Sequence, residues 1–234
     1  MRRVWAVVPA AGVGRRMEAD RPKQYLQLGK LPIIEHTLFR LLSYGVIEQI
    51  VVAISPEDVY WPETQARLNS DRVQTAVGGS ERCHSVLNGL KYLEGKAYPE
   101  DWVLVHDAAR PCIRLDDLRS LMNQIKEHPA GGLLASPLSD TLKRADKENH
   151  VLETVPRESL WRALTPQVFR YAPLKKALEQ AFEQGVMVTD ESMAMEMAGY
   201  RPLLVEGSPD NIKITRPEDL ALAKLFLQQQ ERHV

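Results

Sequence analysis

Apolar residues fall in short runs, separated by stretches where they recur every third or fourth position. Residues 4–10 (VWAVVPA), 50–55 (IVVAIS) and 102–107 (WVLVHD) are nearly all apolar and rich in β-branched side chains. That is the pattern of strands buried on both faces of a parallel sheet. Between them the period changes. In 32–44, Ile34, Leu38 and Leu41 fall at i, i+4 and i+7, and Gly45 closes the segment. In 81–94, Val86, Leu90 and Leu93 repeat that spacing before Gly95, and in 115–127 Leu118, Leu121, Met122 and Ile125 form a stripe. These are amphipathic helices with stop signals. Strand and helix in alternation predict an α/β fold: a mostly parallel twisted sheet with helices on both faces.

Residues 137–158 (PLSDTLKRADKENHVLETVPRE) break the alternation. Two alternating runs, 139–144 and 150–155, flank the polar turn ADKEN, which predicts a β-hairpin. The hairpin has too few apolar residues for a core, and a two-stranded ribbon alone is marginal in water. It is expected to be an arm resting on a second copy of the chain, giving a homodimer. Beyond it, helices are expected over 173–183 and 190–198 and a strand over 202–206. In 211–215 (NIKIT), Ile212 and Ile214 alternate with Asn211, Lys213 and Thr215, as on the two faces of an extended segment. Thr215 with Glu218 three residues on has the form of a capping box. It opens a last helix whose expected buried stripe is Leu222, Leu225 and Phe226. With no repeat or linker, residues 1–234 read as a single domain carrying an arm over 137–158.

Composition narrows the function classes. The 234 residues carry 30 Lys and Arg against 31 Asp and Glu, a formal net charge of -1. No global field draws nucleic acid, so an anion site has to be local. Cys83 and Cys112 show no metal-ligand spacing and read as reduced thiols. No window reaches the ~20 apolar residues of a membrane span, and a cytoplasmic location with no membrane partner is expected.

The local anion site lies in 7–26 (VVPAAGVGRRMEADRPKQYL), directly after the first strand. Ala10, Ala11 and Gly12 let a ligand approach the backbone N–H groups. Arg16 and Lys23 then supply positive charge to phosphate oxygens. The loop is neither a P-loop nor a GxGxxG turn, since Met17 stands where the third glycine belongs. GGSERCHSV (78–86) repeats the logic with Gly79, Ser80 and Ser85, and Ser80 is a candidate helix N-cap. VHDAARP (105–111) ends a strand at the carboxyl edge, where Asp107 can hold Mg²⁺ or a hydroxyl and Arg110 lies three residues on. His106 reads as a locally bonded strand-end histidine, and Asp190 and Glu191 as acids favoured by a helix start. Met193, Met195 and Met197 read as packing, and Trp161 as the anchor of the arm's base.

PAAGVGRRMEADRPKQY, GGSERCHSV and VHDAARP, together with TPQ (165–167), TDE (189–191) and DNIKIT (210–215), occur in this order. The chain closely resembles the 2-C-methyl-D-erythritol 4-phosphate cytidylyltransferase family from residue 4 to about residue 227. The resemblance implies a Rossmann-like nucleotidyltransferase sandwich acting as a homodimer through a protruding β-arm, with Mg²⁺. The implied reaction joins CTP to 2-C-methyl-D-erythritol 4-phosphate, giving the CDP-linked alcohol and pyrophosphate, in the non-mevalonate route to isoprenoid precursors. Residue by residue, it implies that Ala10, Ala11 and Gly12 line the nucleotide, with Arg16 and Lys23 as the catalytic cations. Gly79, Ser80 and Ser85 would face cytosine and ribose. Asp107, Ala108 and Arg110 would meet the ribose, metal and acceptor region. Thr141 and Arg157 of the arm, with Thr189, would reach the partner's acceptor pocket, and Lys213 would hold the acceptor phosphate on its own subunit. A cytidylyltransferase for ribitol 5-phosphate and a non-catalytic nucleotide-binding module stay open as alternatives. A glycosyltransferase-like enzyme is disfavoured, because Asp107-Ala108-Ala109 lacks the second acid of a DxD motif.

Overall fold

The computed structural model describes residues 2–12, 17 and 20–231; Arg16 lies outside them. β1 (Val4–Pro9) alternates its side chains between two cores, Val4, Ala6 and Val8 into one and Trp5 and Val7 into the other. A small ribbon, β2 (Gln27–Leu28) with β3 (Leu31–Pro32), leads into α1 (Ile33–Ser43). There follow β4 (Ile47–Ile54), α2 (Trp61–Leu68), β5 (Val73–Val77), α3 (Arg82–Tyr92), β6 (Trp102–Val105) and α4 (Leu115–Ile125). Next come β7 (Gly131–Pro137), the arm strands β8 (Leu142–Ala145) and β9 (Val151–Val155), and β10 (Trp161–Arg170). The chain closes with α5 (Tyr171–Glu183), α6 (Glu191–Met197), β11 (Leu203–Glu206) and α7 (Glu218–Glu231).

The main sheet runs β11-β7-β10-β6-β1-β4-β5. Its pairs are parallel except those of β10, which is antiparallel to both β6 and β7. The expected helix stripes are buried and divide between the faces. Ile34, Leu38 and Leu41 of α1 pack with Leu118, Leu121 and Ile125 of α4 on one face. Val86, Leu90 and Leu93, in and just beyond α3, pack with Leu174 and Leu178 of α5 and Met195 of α6 on the other. A third cluster, with Ile33, Cys112, Ile214, Ala223 and Leu227, seats α7. From β1 the chain builds outward through β4 to β5. It then returns through α3 to lay β6 on the other side of β1. The carboxyl ends of β1 and β6 therefore flank a topological switch point, where a crevice opens in sheets of this kind.

Three expectations near the C-terminus are corrected. Residues 211–215 form no strand: Ile214 N donates to Ala109 O at 2.9 Å, and Asn211 Nδ2 donates to Thr165 O at 2.7 Å. Asn211 and Ile214 are both buried, so the alternation reflects a segment wedged between other loops rather than a two-faced strand. Thr215 does not cap by accepting. Its N–H and O–H both donate to Asp219 Oδ2, as does Arg216 N, and Glu218 is not the partner. On α7, Leu222 and Leu225 are 42% and 49% exposed, while Ala223, Leu227 and Gln230 face inward. Gln230 sets that rotation, because its Nε2 donates to Cys112 O at 2.9 Å and to Asp210 Oδ2 at 3.1 Å.

His106, just past β6, is fully buried and locally bonded, as expected. Its Nε2 lies 3.1 Å from Arg110 O and its Nδ1 lies 3.0 Å from Thr165 Oγ1, which also accepts from Asp107 N at 3.1 Å. The consistent tautomer carries its proton on Nε2, and Nδ1 accepts from Thr165. Burial pushes the imidazole pKa down to about 4.

Two stability predictions follow from this packing. α3 crosses β1 so closely that a Cβ on Gly89 would lie 2.6 Å from Val7 Cγ1, and a β-branched neighbour cannot turn aside. Gly89→Ala is expected to lower unfolding free energy by about 1–3 kcal/mol; an unchanged urea midpoint would refute the close approach. His106 binds its proton near pH 4 when folded and near 6.5 when unfolded. Between those values the unfolded chain holds more protons, so stability falls as pH drops from 6.5 to 4, by on the order of 3 kcal/mol. Urea titrations across this range should show that slope in the native chain and a flatter one in His106→Asn.

Candidate active site

Two small-residue loops meet at the switch point. Past β1, Ala10 N donates to Ala53 O at 2.8 Å, and Gln24 Nε2 donates to Ala10 O at 2.6 Å, which fixes the loop from both sides. Ala10 is buried, Ala11 half-buried and Gly12 exposed. The second loop lies against the first: Gly78 N donates to Ile54 O at 2.6 Å, and a Cβ on Gly78 would lie 2.3 Å from Ala11 Cβ. Only glycine permits that approach. Gly79 N donates to Ser85 Oγ at 3.0 Å and Ser85 Oγ donates to Glu81 O at 3.2 Å, so buried Ser85 shapes its own loop. Ser80 is not the helix cap. Glu81 holds that position without a side-chain bond, and Ser80 Oγ pairs with His84 Nδ1 at 3.0 Å. One pocket is lined by Ala10, Ala11, Gly12, Gly79, Ser80 and Ser85 together with Lys23, Asp107, Ala108 and Lys213. Lys23 opens a single 3-10 turn, and its Nζ donates to Ile214 O at 3.1 Å.

The floor of the pocket is a charge cluster. Asp107 is 6% exposed. Its Oδ1 accepts from Arg82 Nε at 2.8 Å, and its Oδ2 faces Lys213 Nζ at 2.8 Å and Arg110 Nε at 3.5 Å. Burial alone would raise this carboxyl, but Arg82, Lys213 and Arg110 together hold it far below the usual range. Arg110 is lowered chiefly by its own burial and is held by Asn211 O at 2.7 Å. Glu191 is not simply an acid at a helix start: it is fully buried, with Arg82 Nη1 on Oε1 at 2.7 Å and Nη2 on Oε2 at 3.0 Å. Asp190 is the N-cap of α6, accepting from Met193 N at 2.9 Å. Asp107 is the carboxylate at this pocket floor, of the donor type Mg²⁺ takes, and both its oxygens are paired with cations here.

A second pocket shares Arg82, Asp107 and Lys213 with the first and adds Arg110, Thr165, Gln167, Thr189 and Asp190. Exposed Thr189, expected at the partner's pocket, lines this one on its own chain, because it directly precedes the α6 cap Asp190. Thr141 and Arg157 are not among the residues lining either pocket. Both are exposed near the root of the arm, where Arg157 Nη1 donates to Ser139 O. The arm leaves the sheet where Trp161 pairs with Pro137, and Val151 and Leu152 on it are each 62% exposed. Sequence reasoning did not single out Arg82, Glu191 as its partner, Thr165 or Gln167. Arg82 and Thr165 stand inside GGSERCHSV and TPQ, where an arginine opening a helix beside a glycine pair was the available signal.

Comparison with known proteins places the chain among its relatives. The family model for 2-C-methyl-D-erythritol 4-phosphate cytidylyltransferase matches residues 4–229. The chain is 53% identical over 222 residues to the 2-C-methyl-D-erythritol 4-phosphate cytidylyltransferase of Vibrio parahaemolyticus, covering 95% of this chain and 94% of that one. It is also 53% identical over 226 residues to that of Tolumonas auensis, covering 97% of each. Among solved structures, a 4-diphosphocytidyl-2C-methyl-D-erythritol synthase superposes with a TM-score of 0.84 at 37% identity, covering 97% of this chain and 99% of the other. The Francisella tularensis 2-C-methyl-D-erythritol 4-phosphate cytidylyltransferase gives 0.83 at 36%, covering 96% and 99%. The mostly parallel sheet of this chain thus has close counterparts in both sequence and fold, and the chain belongs to the 2-C-methyl-D-erythritol 4-phosphate cytidylyltransferase family.

Proposed function

We propose that the chain is a cytoplasmic homodimeric cytidylyltransferase. It joins CTP and 2-C-methyl-D-erythritol 4-phosphate to give 4-diphosphocytidyl-2-C-methyl-D-erythritol and pyrophosphate, in the non-mevalonate route to isoprenoid precursors. The observation that carries this reading is the convergence of Lys213, Arg110 and Arg82 around one buried carboxylate, with Lys23 lining the same pocket beside loops stripped of side chains. Such a site accepts a polyanion against a bare backbone. Among the described residues, no helix is long and apolar enough to cross a membrane.

In this reading cytosine and ribose lie between Ala10–Ala11–Gly12 and Gly79–Ser85, and backbone carbonyls receive the exocyclic amine. The triphosphate runs over Lys23, and the family resemblance assigns Arg16, outside the described residues, to the same phosphates. The acceptor phosphate enters the second pocket, between Lys213 and Arg110. Its second pKa is about 6, so the attacking oxygen is already ionised and no general base is needed. That oxygen bonds to the α-phosphorus. The bond from the α-phosphorus to the oxygen bridging toward the β-phosphorus breaks, and pyrophosphate departs with the electron pair. The residues work by position and charge: Lys213 and Arg110 bring a dianion to a triphosphate, and Lys23 offsets the charge of the leaving group. When bound at Asp107, Mg²⁺ supplies Lewis-acid polarisation of phosphate oxygens. The exposed apolar face of the arm is covered by a second copy, which brings Arg157 and Thr141 to the neighbouring acceptor pocket.

Pyrophosphate release with CTP, Mg²⁺ and either 2-C-methyl-D-erythritol 4-phosphate or ribitol 5-phosphate tests the reaction. Turnover is expected with the first, and silence with both would overturn it. Arg157→Ala should raise the KM for the acceptor while leaving that for CTP nearly unchanged. Equal loss for both substrates would remove the arm from the acceptor pocket. Sedimentation should give a dimer, and a fully active monomer would exclude the shared site.

A further inference from the structure

The mechanism leaves a buried acid beside the charge cluster of the site without a task. Glu191 opens α6, is fully buried, and takes both terminal nitrogens of Arg82. The remaining nitrogen, Nε, donates to Asp107 Oδ1 at 2.8 Å. An acid in the first turn of a helix is already favoured by the dipole, and burying an ion pair has a desolvation cost. Neither helix stability nor packing explains why this carboxylate is buried on an arginine.

The seat of Glu191 is itself pinned. Asp190 Oδ2 accepts from Gln167 Nε2 at 2.9 Å, and Ser192 N donates to Gln167 Oε1 at 2.8 Å, tying the start of α6 to β10 on both sides of Glu191. From there the chain of contacts runs one way: a fixed carboxylate, a guanidinium held at two nitrogens, and a third nitrogen aimed at Asp107. The charges are coupled as well. Arg82, Lys213 and Arg110 meet Asp107 and Glu191, so one positive charge is in excess. Without Glu191 the excess doubles, and Arg82 is left to seek the nearest anion, which in the loaded site is the substrate.

We infer that Glu191 is a positioning residue for cytidylyl transfer: by claiming both terminal nitrogens of Arg82 it keeps that arginine off the substrate phosphates and holds the Asp107 carboxylate toward the nucleotide. This rests on the proposed cytidylyl transfer. Arg82 is then an orienting group rather than a phosphate ligand, unlike Lys23 and Lys213.

Glu191→Gln keeps the shape and one acceptor but removes the charge. Its kcat is expected to fall about 10–100-fold, with calorimetric Kd for CTP within about threefold of the native value or tighter, since the released arginine can bind phosphate. Arg82→Gln should lose a similar amount, and the Arg82→Gln/Glu191→Gln double variant should be no worse than Arg82→Gln alone. A native kcat in a folded Glu191→Gln, or losses that multiply in the double variant, would overturn the inference. Should Glu191→Gln fail to fold, Glu191→Asp replaces it. The shorter acid cannot span both nitrogens and should show the same kcat loss, and native kcat there overturns the inference equally. The native enzyme run alongside separates the two claims. Turnover by the native chain with an unaffected variant sinks only the role of Glu191, whereas no turnover by the native chain sinks the reaction and this role together.

Discussion

A single carboxylate in a dry setting organises this molecule. Asp107 is nearly withdrawn from water, and an ionised acid in that position is tolerable only when cations and hydrogen bonds replace the lost hydration. Three cations do so, from three separated parts of the chain: Arg82 at the head of α3, Arg110 in the loop after β6, and Lys213 in the segment before α7. Two of them are anchored again elsewhere, Arg110 on Asn211 O and Arg82 on Glu191. Neutralising one charge thus draws the separate parts of the chain into register around the crevice.

The backbone contributes what the charges cannot. A switch point leaves a gap between the ends of β1 and β6, but a gap admits a large anion only if the flanking loops are thin. Ala10, Ala11, Gly78 and Gly79 make them thin, and the contact between Gly78 and Ala11 brings them nearly to backbone packing. The short bonds that Ala10 receives from Gln24 and gives to Ala53 then keep this thin loop from collapsing into the space it borders.

Much of this was legible in the amino-acid sequence, for physical reasons. Strands buried on both faces write themselves as unbroken apolar runs, so β1, β4 and β6 were plain, and helices with one buried stripe exposed α1, α3 and α4. Less was visible where burial is partial or the signal interrupted. β5 sits at the sheet edge with Gln74 and Thr75 in it, Pro166 breaks the run of β10, and α2 is short and polar. The face of α7 was misjudged because Leu222 and Leu225 are apolar yet outward, while polar Gln230 turns in to bond Cys112 and Asp210. In the site, the small-residue loops and Asp107 announced themselves locally. The pairing of Arg82 with Glu191 joins residues 109 apart in the chain, and nothing in either neighbourhood records the other.

The arm is joined to the fold in a way that bears on how it transmits force. Its two ends leave β7 and β10 where these strands are still paired, at Pro137 with Trp161 and Ser136 with Arg162. Four residues further along β10 stands Thr165, whose hydroxyl receives the amide of Asp107. The hairpin itself is a separate two-stranded sheet joined to that root through 138–141 and 156–160, so a displacement of its tip reaches the hydrogen bonds beside the buried carboxylate only by way of those two segments.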